Sequence, residues 1–531
     1  MGGLRDRCNE RKGAMGFGSW GSMKKLVLVR HLSQVFFLAL FVYILWATTY
    51  PLKSAISSQA LFIIDPLVMV FTSLSQRVFL PGLVFSVIMI FLTLILGRFF
   101  CGWICPMGTM VDLAGKFRPD QKKDLADHHK AMIRWPKFMI LALIFFLALG
   151  GIQVAWVLDP IVIIARVISL NVIPAVTLAV DGFFQFMIQK FGLYGGFYDF
   201  YRSLKESLLG INVHFFSNSL DTLMFFAVIC VCSLLILRLW CRMLCPLGAC
   251  YALSAIPSLL ERRVSGCTSC GKCVRQCRMG AIAKGDSYRK EECILCMDCV
   301  YSCPEKSTRF SWRLGGRRAH GEPGKGITRG QFLLVCGSVG AMLGLKNSSS
   351  FAAEGDQASG HPVIRPPGAL PEKRFVNTCV RCGNCMKVCI TNVLQPDMFE
   401  SGVEGLWTPR MIPEIGYCEY NCKLCGEVCP TGAITKLALE EKKKWKVGLA
   451  EIDKSLCLSW KGQKDCIVCE EHCPISDKAI RMKEEVFEGV KMLRPYVDKE
   501  LCNGCGICQN KCPVIPVRAV RVNSAIVQER M

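Results

Sequence analysis

Twenty-four of the 33 cysteines in this 531-residue sequence fall into six groups of four. Two groups stand in tandem, Cys267, Cys270, Cys273, Cys277 and then Cys293, Cys296, Cys299, Cys303. Each has the C-x2-C-x2-C-x3-C spacing that wraps a cubane [4Fe-4S] cluster. Three close thiolates reach three irons of one cube, and the fourth, displaced by a turn, reaches the neighbouring cube. The expected ligand sets are therefore Cys267, Cys270, Cys273 with Cys303, and Cys293, Cys296, Cys299 with Cys277. Structural zinc also uses C-x2-C pairs, but it takes two separated pairs rather than evenly spaced triplets. Four further groups follow: Cys379, Cys382, Cys385, Cys389; Cys418, Cys422, Cys425, Cys429; Cys457, Cys466, Cys469, Cys473; and Cys502, Cys505, Cys508, Cys512. The first gap is stretched in the inner two and regular in the outer two, which predicts nested pairing, first with fourth and second with third. The chemistry is single-electron transfer through six clusters. No Gly-rich nucleotide loop follows a strand pattern, and the seven histidines are scattered rather than paired as haem ligands would be.

A second thiol pattern is repeated at a distance of 140 residues. Arg98-Phe-Phe-Cys101-Gly-Trp-Ile-Cys105-Pro106 matches Arg238-Leu-Trp-Cys241-Arg-Met-Leu-Cys245-Pro246. Thiols four apart share one helix face, and two such pairs supply four ligands. Cys101, Cys105, Cys241 and Cys245 are thus candidates for a seventh cluster at the membrane surface, with Arg98 and Arg238 balancing its charge; a pair of reactive or structural dithiols is the competing reading. Asp65-Pro66 and Asp159-Pro160 form a second match, read as helix N-caps with proline at the first helical position.

These motifs need elements to carry them. Apolar runs near residues 35–52, 80–100, 136–158 and 220–240 predict four transmembrane helices, while the stretch opened by Asp159-Pro160 looks too short to span again. Basic residues before the first run and between Lys116 and Lys137 place both flanks inside. The repeat unit is helix, Asp-Pro segment, helix, C-x3-C-P. The expected fold is multi-domain: an α-helical four-span membrane domain at 1–260, a two-cluster α+β ferredoxin-like domain at 261–310, a linker at 311–364 and a four-cluster domain at 365–531.

Composition agrees. A hydrophobic content of 52% and a mean hydropathy of +0.34 are too apolar for an ordinary soluble chain. The formal charge of +22 counts cysteines as neutral. Six oxidised cubanes with their thiolates would remove roughly 12 units, so the basic excess is largely counter-charge and no nucleic-acid partner is expected. Between the cysteine-rich parts, the Gly/Arg/Lys-rich stretch to Arg329 precedes an apolar core of Gln331–Leu345. Thr328-Arg329-Gly330-Gln331-Phe332-Leu333 is similar to a twin-arginine export signal with glycine in place of the second arginine. A short re-entrant anchor is the competing reading.

The four spans, the two C-x3-C-P motifs and the tandem quartets resemble the NapH type of membrane quinol dehydrogenase component from periplasmic nitrate reduction systems, over about residues 25–310. Residues 365–520 resemble the NapG type of four-cluster ferredoxin, so the whole resembles a fusion of the two. The resemblance implies a multi-pass protein of the bacterial inner membrane that oxidises quinol from the membrane quinone pool and feeds a reductase or cytochrome. Residues 261–310 are then expected in the cytoplasm and 365–531 in the periplasm. The alternatives are a ferredoxin-linked quinone reductase and an accessory protein that maintains a partner metalloenzyme.

Overall fold

The computed structural model describes residues 20–50, 52, 57–117, 134–206, 214–216, 219–282, 288–312, 337, 363–487 and 489–524. Apart from Gly337, the export-signal-like segment Thr328–Ala353 lies outside them, as does most of the basic connector Lys116–Lys137.

The N-terminal half is built from helices: α1 (Trp20–Ala47), α2 (Pro66–Gln76), α3 (Leu83–Leu96), α4 (Pro106–Lys116), α5 (Pro136–Leu149), α6 (Pro160–Phe191), α7 (Leu220–Leu235) and α8 (Pro246–Ser254). Proline occupies an N-terminal position of α2, α4, α5 and α8, where its missing N–H costs nothing. Among the described residues two helices are long and apolar enough to cross a membrane, Lys25–Ala47 within α1 and the 32-residue α6. The four-span expectation is corrected here. Three of its spans appear as α3, α5 and α7, of 14, 14 and 16 residues. At 1.5 Å per residue such helices measure roughly 21–24 Å, short of a hydrocarbon core of about 30 Å. Glycine ends two of them: Gly97 adopts φ +89°, and Gly150 is followed by Gly151 at φ +81°. Conversely α6 continues where the sequence suggests a stop, because a π-helical turn at Ile168–Val172 precedes Pro174. The wider turn absorbs the hydrogen bond that the proline cannot make.

Contacts among the described residues divide the chain into two compact units. One takes in the part up to Tyr43, Leu61–Ile164 and the part from Met224 through the tandem quartets; the other takes in Ile44–Ala60, Ala165–Leu223 and the C-terminal quartets. In the first unit α8 packs on α2, α3 and α5. Leu67, Val68 and Met69 of α2 and Leu247, Ala249 and Tyr251 of α8 are fully buried or nearly so. Val84, Phe85, Val87, Ile88 and Phe91 of α3 are exposed. The tandem quartets sit between β1 (Leu260–Val264) and β2 (Thr308–Trp312), which pair antiparallel from Leu260 opposite Trp312 to Val264 opposite Thr308.

In the second unit β3 (Leu394–Pro396) pairs with β4 (Pro409–Met411), β5 (Gly448–Ile452) with β8 (Val520–Ser524), and β6 (Ile480–Phe487) with β7 (Val490–Val497). The β5–β8 pair encloses the third and fourth C-terminal quartets as β1–β2 encloses the tandem pair. This half is seated on α6 and the segment after it. The Arg166 guanidinium lies 3.9 Å from the Trp407 ring centroid, Trp407 Nε1 donates to Asp221, and a His214 ring nitrogen lies 2.8 Å from the Cys389 carbonyl oxygen.

Candidate iron-sulfur and thiol sites

In all four regular quartets the residues on either side of the second cysteine are left-handed. They are Ser269 and Gly271, Leu295 and Met297, Arg381 and Gly383, and Gly504 and Gly506, with φ between +51° and +84°. For the non-glycine members this conformation costs about 1–2 kcal/mol each. It curls the loop so that backbone N–H groups face the thiols: Ser269 N lies 3.3 Å from Cys267 Sγ, and Leu295 N lies 3.4 Å from Cys293 Sγ. Backbone donors at this position favour the thiolate and tune a bound cluster.

The cysteines gather around cavities. One of about 360 Å³ is lined by Cys277, Cys293, Cys296 and Cys299, and an open one of about 1130 Å³ by Cys267, Cys270, Cys273 and Cys303. These are the ligand sets that the spacing predicts for the tandem pair. In the C-terminal domain the grouping differs from the nested expectation. Cys379, Cys382 and Cys385 share a cavity of about 360 Å³ with Cys429; Cys418, Cys422 and Cys425 share one of about 410 Å³ with Cys389; Cys502, Cys505 and Cys508 share one of about 300 Å³ with Cys473. Cys457 and Cys512 pack in one buried cluster, completing the exchange with Cys466 and Cys469. Pairing is therefore consecutive, first with second and third with fourth. The physical reason is local. Each fourth cysteine follows a short helix that packs against the matching helix of the next quartet, Asn384–Lys387 on Leu424–Glu427 and Val468–Glu471 on Ile507–Lys511. A longer first gap changes a loop, not the partner. The two pairs meet where Cys418 N donates to the Cys505 carbonyl at 2.8 Å.

Among the described residues no three His, Cys, Asp or Glu side chains converge on one bare ion. Thiols arrayed in fours around shared cavities suit a cubane instead. Burial pushes the Cys422 thiol up to about 11 and that of Cys469 up to about 12, so ligation must displace their protons.

The C-x3-C-P cysteines form a further convergent set in the first unit. Cys105, Cys241 and Cys245 are buried, and each of the three has Cys101 among its electrostatic neighbours. Each second cysteine caps the helix that its proline opens, and Gly248 N lies 3.2 Å from Cys245 Sγ. The two repeats reach across to each other. Arg98 Nη2 lies 3.0 Å from where a Cβ on Gly248 would stand, and Arg238 Nη2 lies 3.5 Å from the same point on Gly108. Both arginines are fully buried.

Their partners were not legible in the sequence. Asp112 accepts two 2.7 Å bonds from Arg238 and one ion pair of 3.0 Å from Arg278. Arg278 also bonds Asp298 at 2.5 Å, and Arg30 approaches Asp298 at 3.6 Å. Glu292 binds Lys137 at 2.6 Å and Arg98 at 2.9 Å. Burial pushes Asp112 up, but Arg238 and its fellow arginines override it and hold the carboxylate well below the ordinary range. For Glu292, burial again opposes and Lys137 and Arg98 prevail, so it is also lowered. Among the described residues Arg30, Arg98, Lys137, Arg238 and Arg278 thus pair with Asp112, Glu292 and Asp298 alone. The surplus of positive charge next to four thiols is what a dianionic oxidised cubane would neutralise. The same network docks the tandem-quartet domain on the helices, together with Trp103 Nε1, which donates to the Leu295 carbonyl at 3.1 Å. A Cβ on Gly102 would stand 2.2 Å from the Ile294 carbonyl oxygen, so only glycine allows this approach.

Glu292→Gln strands two buried cations and is expected to cost about 3–5 kcal/mol, read as a lowered thermal midpoint of the purified chain. With the folded pKa lowered, the stabilisation by Glu292 is complete above its unfolded value of about 4.3 and is lost as pH falls below it. The deficit should therefore be equal at pH 7 and pH 6 and shrink only in stronger acid.

A 4Fe-4S binding domain family matches residues 78–124 and 219–264, the two C-x3-C-P repeats, and another family of 4Fe-4S binding domains matches residues 495–514. The chain is 37% identical over 164 residues to the methylamine utilization ferredoxin-type protein MauM of Methylorubrum extorquens, covering 30% of this chain and 72% of that one. It is 36% identical over 167 residues to MauM of Paracoccus denitrificans, covering 30% and 70%. Against the ferredoxin-type protein NapG of Escherichia coli it is 34% identical over 191 residues, covering 35% and 78%. No solved structure matches. With thiols gathered in fours around shared cavities, 4Fe-4S binding domains and relatives of this similarity, the chain belongs to the iron-sulfur, ferredoxin-type electron-transfer proteins of the MauM and NapG kind.

Proposed function

We propose that this chain is a membrane-embedded relay that takes electrons from quinol and passes them singly to a reductase or cytochrome. In this reading the six quartets hold six [4Fe-4S] clusters, in the consecutive pairing of their cavities, and Cys101, Cys105, Cys241 and Cys245 hold a seventh. The observation that carries it is the convergence of both C-x3-C-P motifs on one buried, positively charged site against the tandem-quartet domain. When bound, such clusters supply one-electron transfer, and a lipid-soluble donor would supply electrons in pairs. The chain's own residues exclude water from the Cys105, Cys241 and Cys245 thiols, compensate charge through Arg98 and Arg238, and orient the loops through N–H to sulfur contacts.

The resemblance to a NapH-type half joined to a NapG-type half supports the quinol assignment, a multi-pass place in the bacterial inner membrane, a cytoplasmic tandem-quartet domain and a periplasmic C-terminal domain. The relatives' names tie MauM to methylamine utilization, and the acceptor proposed for this chain is a partner of comparable kind, a periplasmic reductase or cytochrome. One observation favours a second reading. Cys267 and Cys270 are exposed at the mouth of an open cavity, which suits an incoming soluble ferredoxin and hence a ferredoxin-linked quinone reductase.

Membranes containing the chain separate the two. Addition of a reduced quinone analogue is expected to produce the electron paramagnetic resonance signals of reduced clusters. Signals that appear only with a low-potential ferredoxin or a strong chemical reductant would overturn quinol oxidation in favour of the second reading.

A further inference from the structure

Arg262 stands in the middle of β1, opposite Phe310 of β2, on the strand pair that encloses the tandem quartets. Its side chain is buried, and with Phe310 it lines the cavity of Cys277, Cys293, Cys296 and Cys299. The tip of the same side chain reaches the other site. Arg262 Nη2 donates to Cys273 Sγ at 3.7 Å and to Thr308 Oγ1 at 3.3 Å. Cys273 and Thr308 both line the open cavity of Cys267, Cys270, Cys273 and Cys303. One guanidinium therefore borders both tandem sites.

Its charge has no answer among the described residues. Nε and Nη1 are buried there without a hydrogen-bond partner, and no Asp or Glu forms an ion pair with Arg262; the neighbouring Glu261 pairs with Arg263 instead, at 3.9 Å. A buried cation whose only polar contacts are a hydroxyl and a thiol is costly unless something anionic meets it. A neutral donor would serve Thr308 as well, so packing alone does not explain a guanidinium at this position. An oxidised cubane with four thiolates carries about two negative charges, and net charge together with hydrogen bonds to sulfur sets the potential of such a cluster. Arg262 supplies both influences at once.

We propose that Arg262 is a potential-setting residue shared by the two tandem sites. Its charge favours the reduced state of both, and its Nη2–H bond to Cys273 Sγ adds a further stabilisation at that site alone. Each reduction adds one electron and moves no proton or covalent bond, and the added negative charge is met by the fixed guanidinium. The electron comes from whatever feeds the relay, or from a chemical reductant in the test. This inference rests on the reading that the tandem quartets hold clusters, and it is independent of the quinol assignment. A cation common to both sites raises their potentials together, so neither gains driving force over the other from it.

Redox titration of the full chain, purified anaerobically in detergent and followed by electron paramagnetic resonance, tests it. The two tandem features are assigned by their loss in Cys270→Ser and in Cys296→Ser. Arg262→Gln keeps an amide donor for Thr308 and removes the charge. Both tandem features should then become harder to reduce, by about tenfold in the reduction equilibrium or about 59 mV for a one-electron couple, while the C-terminal features keep their wild-type potentials. Arg262→Lys keeps the charge but gives up the planar fork, so the Cys273 site should become about threefold harder to reduce and its neighbour should hold. Wild-type potentials at both tandem sites in Arg262→Gln overturn the proposal, and a fall at one site alone overturns the sharing. If the glutamine variant loses its iron, the lysine variant decides: a merely structural arginine leaves the Cys273 site unmoved, and that result overturns the proposal. Absence of the tandem irons from the wild type, read by metal analysis before any titration, overturns the cluster reading itself and this inference with it. No quinone enters the measurement, so a failed quinol-reduction experiment leaves this result untouched.

Discussion

Serine at both Cys101 and Cys241 should lower the iron content of anaerobically purified protein from about 28 to about 24 per chain and remove one paramagnetic signal. The expectation follows from geometry and charge together. Cys241 and Cys245 come from one repeat and Cys101 and Cys105 from the other, yet all four are electrostatic neighbours inside one low-dielectric site. Protonated thiols there would need no counter-charge, whereas among the described residues fully buried Arg98 and Arg238 share Asp112, Glu292 and Asp298 with Arg30, Lys137 and Arg278, five cations to three carboxylates. A surplus of buried cations is costly unless something anionic answers it, and the penalty is several kcal/mol per uncompensated ion. A cubane with four thiolates answers it. The largest consequence should be functional: with this site gone, reduction of the other clusters by quinol should fall by orders of magnitude, while their reduction by a chemical reductant persists. An unchanged iron count with an unchanged spectrum would remove the membrane site and leave two dithiols in its place.

The cysteine groupings of the tandem pair were legible in the spacing, since Cys277 lines the cavity of Cys293, Cys296 and Cys299, and Cys303 that of Cys267, Cys270 and Cys273. Arg98 and Arg238 were legible for a related reason: a repeat exposes what both copies keep. Their partners were not. Asp112 lies 126 positions from Arg238, and Glu292 lies 194 from Arg98, so no local pattern connects them. Hydropathy also misjudged length. The run at 80–100 is continuous in composition, but Gly97 turns the backbone to φ +89° and delivers Arg98 to the buried network instead of extending α3. The opposite error occurs at Pro174, where a π-turn carries α6 through a residue that normally ends a helix. Both are decisions of backbone geometry that apolar content does not encode.

Cys512→Ser should damage the cluster of Cys457, Cys466 and Cys469 and leave that of Cys379, Cys382 and Cys385 intact, and Cys429→Ser should do the reverse. The prediction separates consecutive from nested pairing, because nesting assigns Cys512 to the Cys379 cube. Cys457, Cys512 and Ala519 share a buried cluster, while Cys429 lines the cavity of Cys379, Cys382 and Cys385. The β5–β8 pair supports the same division, since it closes around the third and fourth quartets from Ile452 opposite Val520 to Gly448 opposite Ser524. A cubane that loses one thiolate commonly loses its labile iron, so each variant should lose between one and four irons and one set of spectroscopic features. Redox titration identifies which set. The Cys379 group has buried Arg381 and Lys387 close by in sequence, and burial lowers Lys387 to about 7, whereas the Cys457 group has no lysine or arginine buried to that degree within its own quartet. The two clusters should therefore titrate at different potentials, and Cys512→Ser should remove the feature of the Cys457 group while Cys429→Ser removes that of the Cys379 group. Loss of the Cys379 feature in Cys512→Ser and of the Cys457 feature in Cys429→Ser would return the domain to nested pairing.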